Sequence, residues 1–179
     1  MMLALSMVIA LFALQGDSPK PVRKLVRSVP AVDLDRYAGL WYEVARFPNS
    51  FQAKCRGQAT ATYERLPGGE LRVVNTCRGA DGRMIRAEGR ARLADRGGPT
   101  SRLKVRFAPA ILSFLPMVWG DYWILDLTAD YGAALVGTPS REYLWVLSRT
   151  PQLEDTTFQR LVATAAAQGF DVARLARSP

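Results

Sequence analysis

Two cysteines, Cys55 and Cys77, are the residues whose spacing points most directly to covalent chemistry. They lie on either side of a Pro-Gly-Gly turn at 67–69. If the flanking segments 58–66 and 70–78 form a β-hairpin, the two cysteines fall close to opposite positions in its register. The pattern predicts a disulfide and therefore an oxidising compartment. The alternative is a pair of buried free thiols.

Histidine is absent from all 179 residues. Its absence removes the commonest general base, the Ser-His and Cys-His nucleophile pairs and the commonest metal ligand, which argues against a hydrolase or a zinc enzyme. Glu43 is a carboxylate that strand alternation places inside the fold, either as a functional group or as a hydrogen-bonded structural residue. We expect no catalytic residue, no metal and no cofactor, and we predict that the chain is not an enzyme.

The formal net charge is +8. Such a charge suits nucleic acid, an acidic membrane surface or an anionic lipid. In the segments 85–93 and 102–107, however, Arg and Lys alternate with apolar residues, so the basic side chains form the solvated outer faces of strands. A barrel that binds oligonucleotides would instead interleave aromatic and basic residues on one exposed face. We therefore expect no nucleic acid partner.

The first 14 residues are nearly all apolar and are followed by polar residues. This run is too short to span a membrane and is typical of a signal peptide. We assign residues 1–18 to a signal peptide or hydrophobic leader, 19–31 to a linker and 32–179 to one domain; an uncleaved anchor is the alternative. No Cys follows the leader, so the lipobox of a bacterial lipoprotein is missing. We expect an exported protein, periplasmic or membrane-associated, without a lipid anchor on an N-terminal Cys.

Short alternating segments separated by turn signals predict an all-β barrel or sandwich. The inward positions Ala87, Gly89 and Ala91 are small and would leave space inside. The period then changes to that of one amphipathic helix, which Gly169 ends. We predict a helical turn at 33–37, eight strands at 40–47, 58–66, 70–78, 85–93, 103–107, 122–127, 133–137 and 143–148, the helix around 158–165, and a short edge strand at 170–175.

Three short motifs occur in order along the predicted strands. Gly39-Leu40-Trp41-Tyr42 lies on the first strand, Ala129-Asp130-Tyr131 precedes the seventh, and Arg149 follows the eighth. Together they resemble the three motifs of the lipocalin family, with Ala129 where the second motif usually has Thr. The runs at 41–51, 121–136 and 143–151 look most like bacterial outer-membrane lipocalins and apolipoprotein D.

The resemblance implies an eight-stranded antiparallel up-and-down β-barrel with one C-terminal α-helix packed outside. It also implies binding, storage or transport of a small hydrophobic ligand such as a fatty acid or lysophospholipid, with a role in cell-envelope maintenance, by a monomer or dimer. The alternative is a lipocalin-type enzyme acting on a lipid or another hydrophobic substrate. Family members that catalyse isomerisation use a free pocket cysteine, whereas Cys55 and Cys77 are expected to be paired.

The resemblance and strand parity together assign the candidate residues. Arg149 is expected to cover Trp41 at the closed end of the barrel, in a cation–π contact that stabilises the fold. Arg46, Arg56 or Arg141 are candidates to meet an anionic head group. The predicted structural residues are Gly39, Trp41, Asp130, Tyr131 and Arg149, and the predicted ligand-binding residues are Phe47, Ile85, Ala87, Leu103, Val105, Phe107, Trp119, Tyr122, Tyr143 and Trp145.

The uncharged apolar segment 108–119 follows the fifth strand, at the end of the barrel opposite Trp41. Long irregular loops are usually functional, and exposed apolar patches usually mark contacts. We expect Phe114, Leu115, Met117, Val118 and Trp119 to form an apolar lip through which lipid enters, with transient contact to a membrane surface. The alternative is a loop that folds over the mouth as a lid or continues the core.

Overall fold

The computed structural model describes residues 24–178, and the predicted leader at 1–18 lies outside the described residues. It contains nine strands and two α-helices. Their bounds are α1 Leu34–Tyr37, β1 Gly39–Arg46, β2 Cys55–Arg65, β3 Leu71–Gly79, β4 Met84–Leu93, β5 Arg102–Arg106, β6 Gly120–Leu127, β7 Ala133–Gly137, β8 Leu144–Ser148, α2 Asp155–Ala167 and β9 Ala176–Arg177.

The strands form one antiparallel sheet that closes on itself. Each strand from β2 to β7 pairs with the next, β8 pairs with β1, and β1 pairs back to β2. In the closed barrel, alternate side chains along each strand point into the interior, and the side chains between them point outward. The prediction of an eight-stranded antiparallel barrel with one helix outside is confirmed, and β9 is an additional strand on β1.

One edge of strand β1 pairs with two different strands along its length. Its first half pairs with β2 from Gly39 to Tyr42, and its last residues pair with β9 at Ala45 and Arg46. A β-bulge shifts the register of β1 against β8 between Glu43 and Ala45. Because a bulge reverses which side chains face inward, Arg46 shares the inner face with its β8 partner, and the next residue turns outward.

Two hydrophobic cores result. One fills the closed half of the barrel, and the other lies between the outer face of the barrel and α2. Phe158, Leu161 and Ala165 form the buried face of α2, which confirms the predicted helix. The expected strand at 170–175 is wrong: Phe170 is buried against the barrel, and a 3-10 turn at Val172–Arg174 redirects the chain before β9 begins.

The segment before the barrel seals its closed end. The backbone N–H of Val29 donates to the carbonyl of Ile124 (2.9 Å), and that of Val32 donates to the Thr100 hydroxyl (2.7 Å). Asp33 caps α1 by accepting hydrogen bonds from the backbone N–H groups of Asp35 and Arg36. Within residues 24–178, no helix combines the length and apolar character needed to cross a membrane.

Candidate ligand-binding site

The closed end of the barrel is built around Arg149 and Trp41. The guanidinium carbon of Arg149 lies 3.9 Å from the centre of the Trp41 ring. Its nitrogens donate to the backbone carbonyls of Leu40 (2.8 Å), Arg36 (2.7 Å) and Ala38 (2.9 Å). The arrangement ties α1 to β1, and it uses the guanidinium for contacts within the protein.

Three further motif residues hold the same end together. Gly39 has φ +96°, a conformation that favours glycine, and a Cβ at this position would lie 3.3 Å from Arg149. The hydroxyl of Tyr131 accepts a hydrogen bond from the backbone N–H of Asp33 (2.9 Å). The side chain of Asp130 accepts one from the N–H of Gly132 (3.0 Å), and hydrogen bonds from Thr128 and that N–H lower the pKa of its carboxyl. The contacts of these residues are all structural.

A cluster of three tyrosines forms the floor of the interior. The Tyr122 hydroxyl lies 2.8 Å from the hydroxyls of both Tyr37 and Tyr63. Burial raises the pKa of Tyr63 to about 12 and raises the pKa values of Tyr37 and Tyr122 well above their usual range. All three therefore stay neutral near physiological pH. Sequence analysis singled out Tyr122 but missed Tyr37 and Tyr63.

The side walls carry several of the predicted ligand-binding residues. Leu103, Val105, Tyr122 and Trp145 all belong to the inner cluster of the barrel. Ile85 and Ala87 are cross-strand partners of Cys77 and Asn75, but they lie on the part of β4 that has no β5 partner. They are consequently exposed, Ile85 to 38%.

Phe107 lies at the mouth, half exposed, beside Gly89. A Cβ at Gly89 would come within 2.8 Å of the Phe107 ring and 2.4 Å of the Arg106 carbonyl oxygen, so the close packing at this edge requires glycine. Tyr143 stacks on Trp145 with ring centres 5.8 Å apart. Phe107, Tyr143 and Trp145 together give the mouth an aromatic rim.

Two predicted ligand-binding residues lie outside the barrel interior. Phe47 is buried in the outer core, where it contacts Phe170 and lies under the guanidinium of Arg174. The bulge in β1 is the reason, since it reverses the parity on which the prediction depended. Trp119 packs on the outer face between Arg92 and Arg106, with ring-to-guanidinium distances of 4.1 and 5.2 Å. Gly120, the next residue, is the cross-strand partner of the inward residue Val105. Because neighbouring residues on a strand face opposite sides, Trp119 points outward.

A polar cluster crosses the interior near the mouth. The Glu43 carboxylate pairs with Arg46 and accepts hydrogen bonds from Gln52 (2.6 Å) and Ser178 (2.7 Å). The side-chain carbonyl of Gln52 also accepts from the Trp145 indole N–H (3.1 Å). Gln52 and Ser178 come from a loop and from the end of β9, so no strand period could have indicated them.

Of the three arginines considered for a head group, Arg46 is the one that this cluster holds. Arg141 is 8% exposed, and it donates to the carbonyl oxygens of Gln168 (2.7 Å) and Lys24. It therefore joins loops and is not free to bind a ligand. Arg56 is exposed and donates to the Ala53 carbonyl (3.0 Å).

The disulfide between Cys55 and Cys77 is present, with the two Cα atoms 5.6 Å apart. It joins the mouth ends of β2 and β3 where two register shifts interrupt their pairing. The predicted pairing is confirmed, and both cysteines of the chain are used in it.

The loop after β5 carries exposed apolar side chains. Ile111, Phe114 and Met117 are 79%, 75% and 85% exposed. The loop contains two 3-10 turns, Ala110–Leu112 and Pro116–Val118, and neither turn has a buried side chain. Of the residues expected to form an apolar lip, Phe114 and Met117 are exposed, Leu115 and Val118 are half-buried, and Trp119 is buried.

A cavity of about 610 Å³ opens on the side of the barrel, where β1 separates from β2. Glu43 lies in its wall, and most of its other lining groups are on the outer face. None of the predicted ligand-binding residues lines it. The lining residues include Tyr42, Gln58, Thr60, Gln152, Arg177 and Ser178.

The comparisons with known proteins agree with this architecture. A family model described as a lipocalin-like domain matches residues 32–179. Temperature-induced lipocalin-1 of Arabidopsis thaliana is 41% identical over 158 residues, covering 88% of this chain and 84% of that protein. The outer membrane lipoprotein Blc of Escherichia coli (strain K12) is 39% identical over 160 residues, with 88% and 84% covered.

More distant proteins share the fold. Apolipoprotein D of Rattus norvegicus is 30% identical over 152 residues, covering 80% of this chain and 74% of that protein. The structure of insecticyanin from the tobacco hornworm Manduca sexta superimposes with a TM-score of 0.67 at 20% identity, covering 86% of this chain and 84% of that one. The chain belongs to the lipocalin family, whose members bind small hydrophobic ligands.

Proposed function

We propose that this protein binds and carries a fatty acid or a lysophospholipid inside its barrel. The observation that carries the proposal is the polarity of the interior along its length. Apolar walls that include Leu103 and Val105 lead from the mouth to the floor, whereas the Glu43–Arg46 pair lies near the mouth. An acyl chain fits the apolar part, and its burial contributes about 25 cal/mol for each Å² of apolar area. A polar head group fits beside the ion pair.

We also propose that the loop at 108–119 brings the mouth to a membrane surface. Ile111, Phe114 and Met117 are too exposed to contribute to the fold and are suited to shallow insertion between lipids. Exposed basic residues on neighbouring loops at the mouth, among them Lys54 and Arg83, add attraction to anionic head groups. Lipid would then pass between membrane and barrel without crossing water.

An exported location, periplasmic or membrane-associated, and a role in envelope maintenance form part of the same proposal. Their support is the similarity to Blc, which is an outer membrane lipoprotein.

We propose binding and not catalysis as the activity. Both cysteines form the Cys55–Cys77 disulfide, so the thiol that a lipocalin-type isomerase would use is not free.

The proposal is tested by binding and mass measurements on delipidated protein. Titration with a fluorescent fatty acid should saturate at one probe per chain, and hexadecanoic acid and lysophosphatidylethanolamine should displace it. Native mass spectrometry should show the unchanged mass of the added lipid. A barrel that ignores both lipids would refute lipid carriage, and a lipid recovered with an altered mass would indicate an enzyme.

A further inference from the structure

The tyrosine cluster at the floor has three hydroxyl protons, but its described hydrogen bonds use only two of them. Tyr122 is hydrogen-bonded to both Tyr37 and Tyr63. Within residues 24–178 the three hydroxyls make no other hydrogen bond. Each phenol carries one proton to donate, so two hydrogen bonds use two of the three protons in any arrangement. One hydroxyl donor is left without an acceptor.

Tyr122 is the member of the cluster that is accessible from the interior of the barrel. Tyr37 and Tyr63 are 0% and 4% exposed, whereas Tyr122 is partly accessible and pairs across the sheet with the inward residue Leu103. Burial raises the pKa values of all three, so they keep their protons near neutral pH. An unpaired buried hydroxyl is unfavourable. An acceptor on a molecule bound inside the barrel would satisfy it.

A second polar group on the inner face also lacks a partner. The side-chain carbonyl oxygen of Asn75 is buried and has no hydrogen bond among the described residues. Asn75 faces inward between the small residues Ala61 and Ala87, its cross-strand partners. Its next inward neighbour on β3 is Val73, which is paired with Tyr63. The Asn75 oxygen is thus on the same inner face as the cluster, one inward position along β3 from the partner of Tyr63.

We propose that the ligand of this barrel carries a hydroxyl group at its buried end, and that the tyrosine cluster and Asn75 bind it. This inference rests on the proposed function and names its class of lipid: an acyl chain with a polar head at the mouth and a neutral oxygen at the floor. A hydroxyl both accepts a hydrogen bond and donates one. It can therefore satisfy Tyr122 and Asn75 together, whereas a methyl-ended chain leaves both unpaired.

The test compares two acids that differ only at the buried end. Hexadecanoic acid and 16-hydroxyhexadecanoic acid displace a fluorescent fatty acid from delipidated protein, and the ratio of their dissociation constants is measured. An apolar floor would weaken binding of the hydroxy acid by about tenfold or more, because its hydroxyl would lose its hydrogen bonds to water. We expect the wild-type protein to bind the hydroxy acid at least as tightly as the plain acid.

The variants assign that preference to the floor. Tyr63→Phe/Tyr122→Phe removes the accessible donor, and Asn75→Leu removes the acceptor independently. Each should shift the ratio towards hexadecanoic acid by about tenfold. Tyr42→Phe, on the outer face, is the matched control and should leave the ratio unchanged. Circular dichroism shows whether each variant is folded. One folded variant, of either kind, is enough for the test.

The outcomes separate this inference from the proposed function. A wild-type preference of tenfold or more for hexadecanoic acid, or an unchanged ratio in both variants, would overturn the hydroxyl site while leaving lipid binding intact. If neither acid displaced the probe, lipid carriage itself would fail, and the hydroxyl site with it.

Discussion

The hydroxyl of Ser178 donates a 2.7 Å hydrogen bond to the carboxylate of Glu43, although the two residues are 135 positions apart. The same carboxylate pairs with Arg46 and accepts from Gln52. Glu43 thereby connects β1, the first mouth loop and the end of β9. The inward carboxylate suggested by the sequence is hydrogen-bonded through both of its oxygens, which gives it a structural role near the mouth.

The ion pair gives the first prediction. Glu43→Gln should lower the free energy of unfolding by about 2 kcal/mol, because it leaves Arg46 without its counter-charge in a largely buried site. Urea denaturation measures the change. The double variant Glu43→Gln/Arg46→Gln should recover part of the loss, and strictly additive losses would show that the pair is not coupled.

The closed end and the mouth should respond differently to substitution. Arg149→Ala removes three short hydrogen bonds to carbonyls and the contact with Trp41, so we expect a loss of about 3 kcal/mol in stability with little change in lipid affinity. Trp145→Ala should weaken lipid binding without unfolding the barrel. Melting curves and probe titration on both variants check this division. If the two variants lowered the melting temperature equally and neither changed lipid affinity, the division would be contradicted.

The disulfide should contribute to stability and not to binding. Replacing both Cys55 and Cys77 with Ala should lower the free energy of unfolding by about 3 kcal/mol, since the cross-link restricts the unfolded chain. Reduction of the wild-type protein with dithiothreitol should give a similar loss, and it should leave the double variant unchanged. If the reducing agent destabilised both proteins equally, its effect would not come from the Cys55–Cys77 disulfide.

The apolar lip should set the rate of lipid transfer. The triple variant Ile111→Ser/Phe114→Ser/Met117→Ser should slow transfer of a fluorescent fatty acid to phosphatidylglycerol vesicles by about tenfold, with unchanged affinity in solution. Leu40→Ser is the matched control, because Leu40 is an exposed apolar residue at the closed end. Equal transfer rates in all three proteins would exclude a role for the lip.

The tyrosine cluster predicts a loss of stability at alkaline pH. The pKa of Tyr63 rises from 10.0 to about 12 on folding, so the neutral phenol is favoured in the folded state. Its contribution, about 2 to 3 kcal/mol, is complete below pH 10 and is lost as pH rises towards 12. Urea denaturation at pH 9, 10 and 11 measures the slope. In Tyr63→Phe the free energy of unfolding should decrease less over this pH range. An equal decrease in both proteins would show that other groups cause the loss of stability.

Local pattern was sufficient for most of the fold. The alternation of Arg and Lys with apolar residues located β4 and β5, and the switch to a helical period located α2, because each pattern depends on one face being buried. The spacing of Cys55 and Cys77 about a turn predicted their disulfide, and the structure confirms it over the alternative of free thiols. Asn75 could also have been noticed, as the polar member of the inward series Leu71, Val73 and Cys77.

The interior of the site depended on contacts between distant segments. A single bulge after Glu43 moved Phe47 to the outer core and brought Arg46 inside, and strand alternation cannot anticipate an extra residue. Tyr37, Tyr63 and Tyr122 come from three elements that meet only after the barrel closes.

The sequence by itself determined the family, the eight strands of the barrel and the helix, since these follow from short motifs and from the period of burial. Only the tertiary structure decided which polar groups face one another inside. The Glu43–Ser178 contact and the unpaired Asn75 oxygen exist because closing the sheet brings together residues that no local spacing relates.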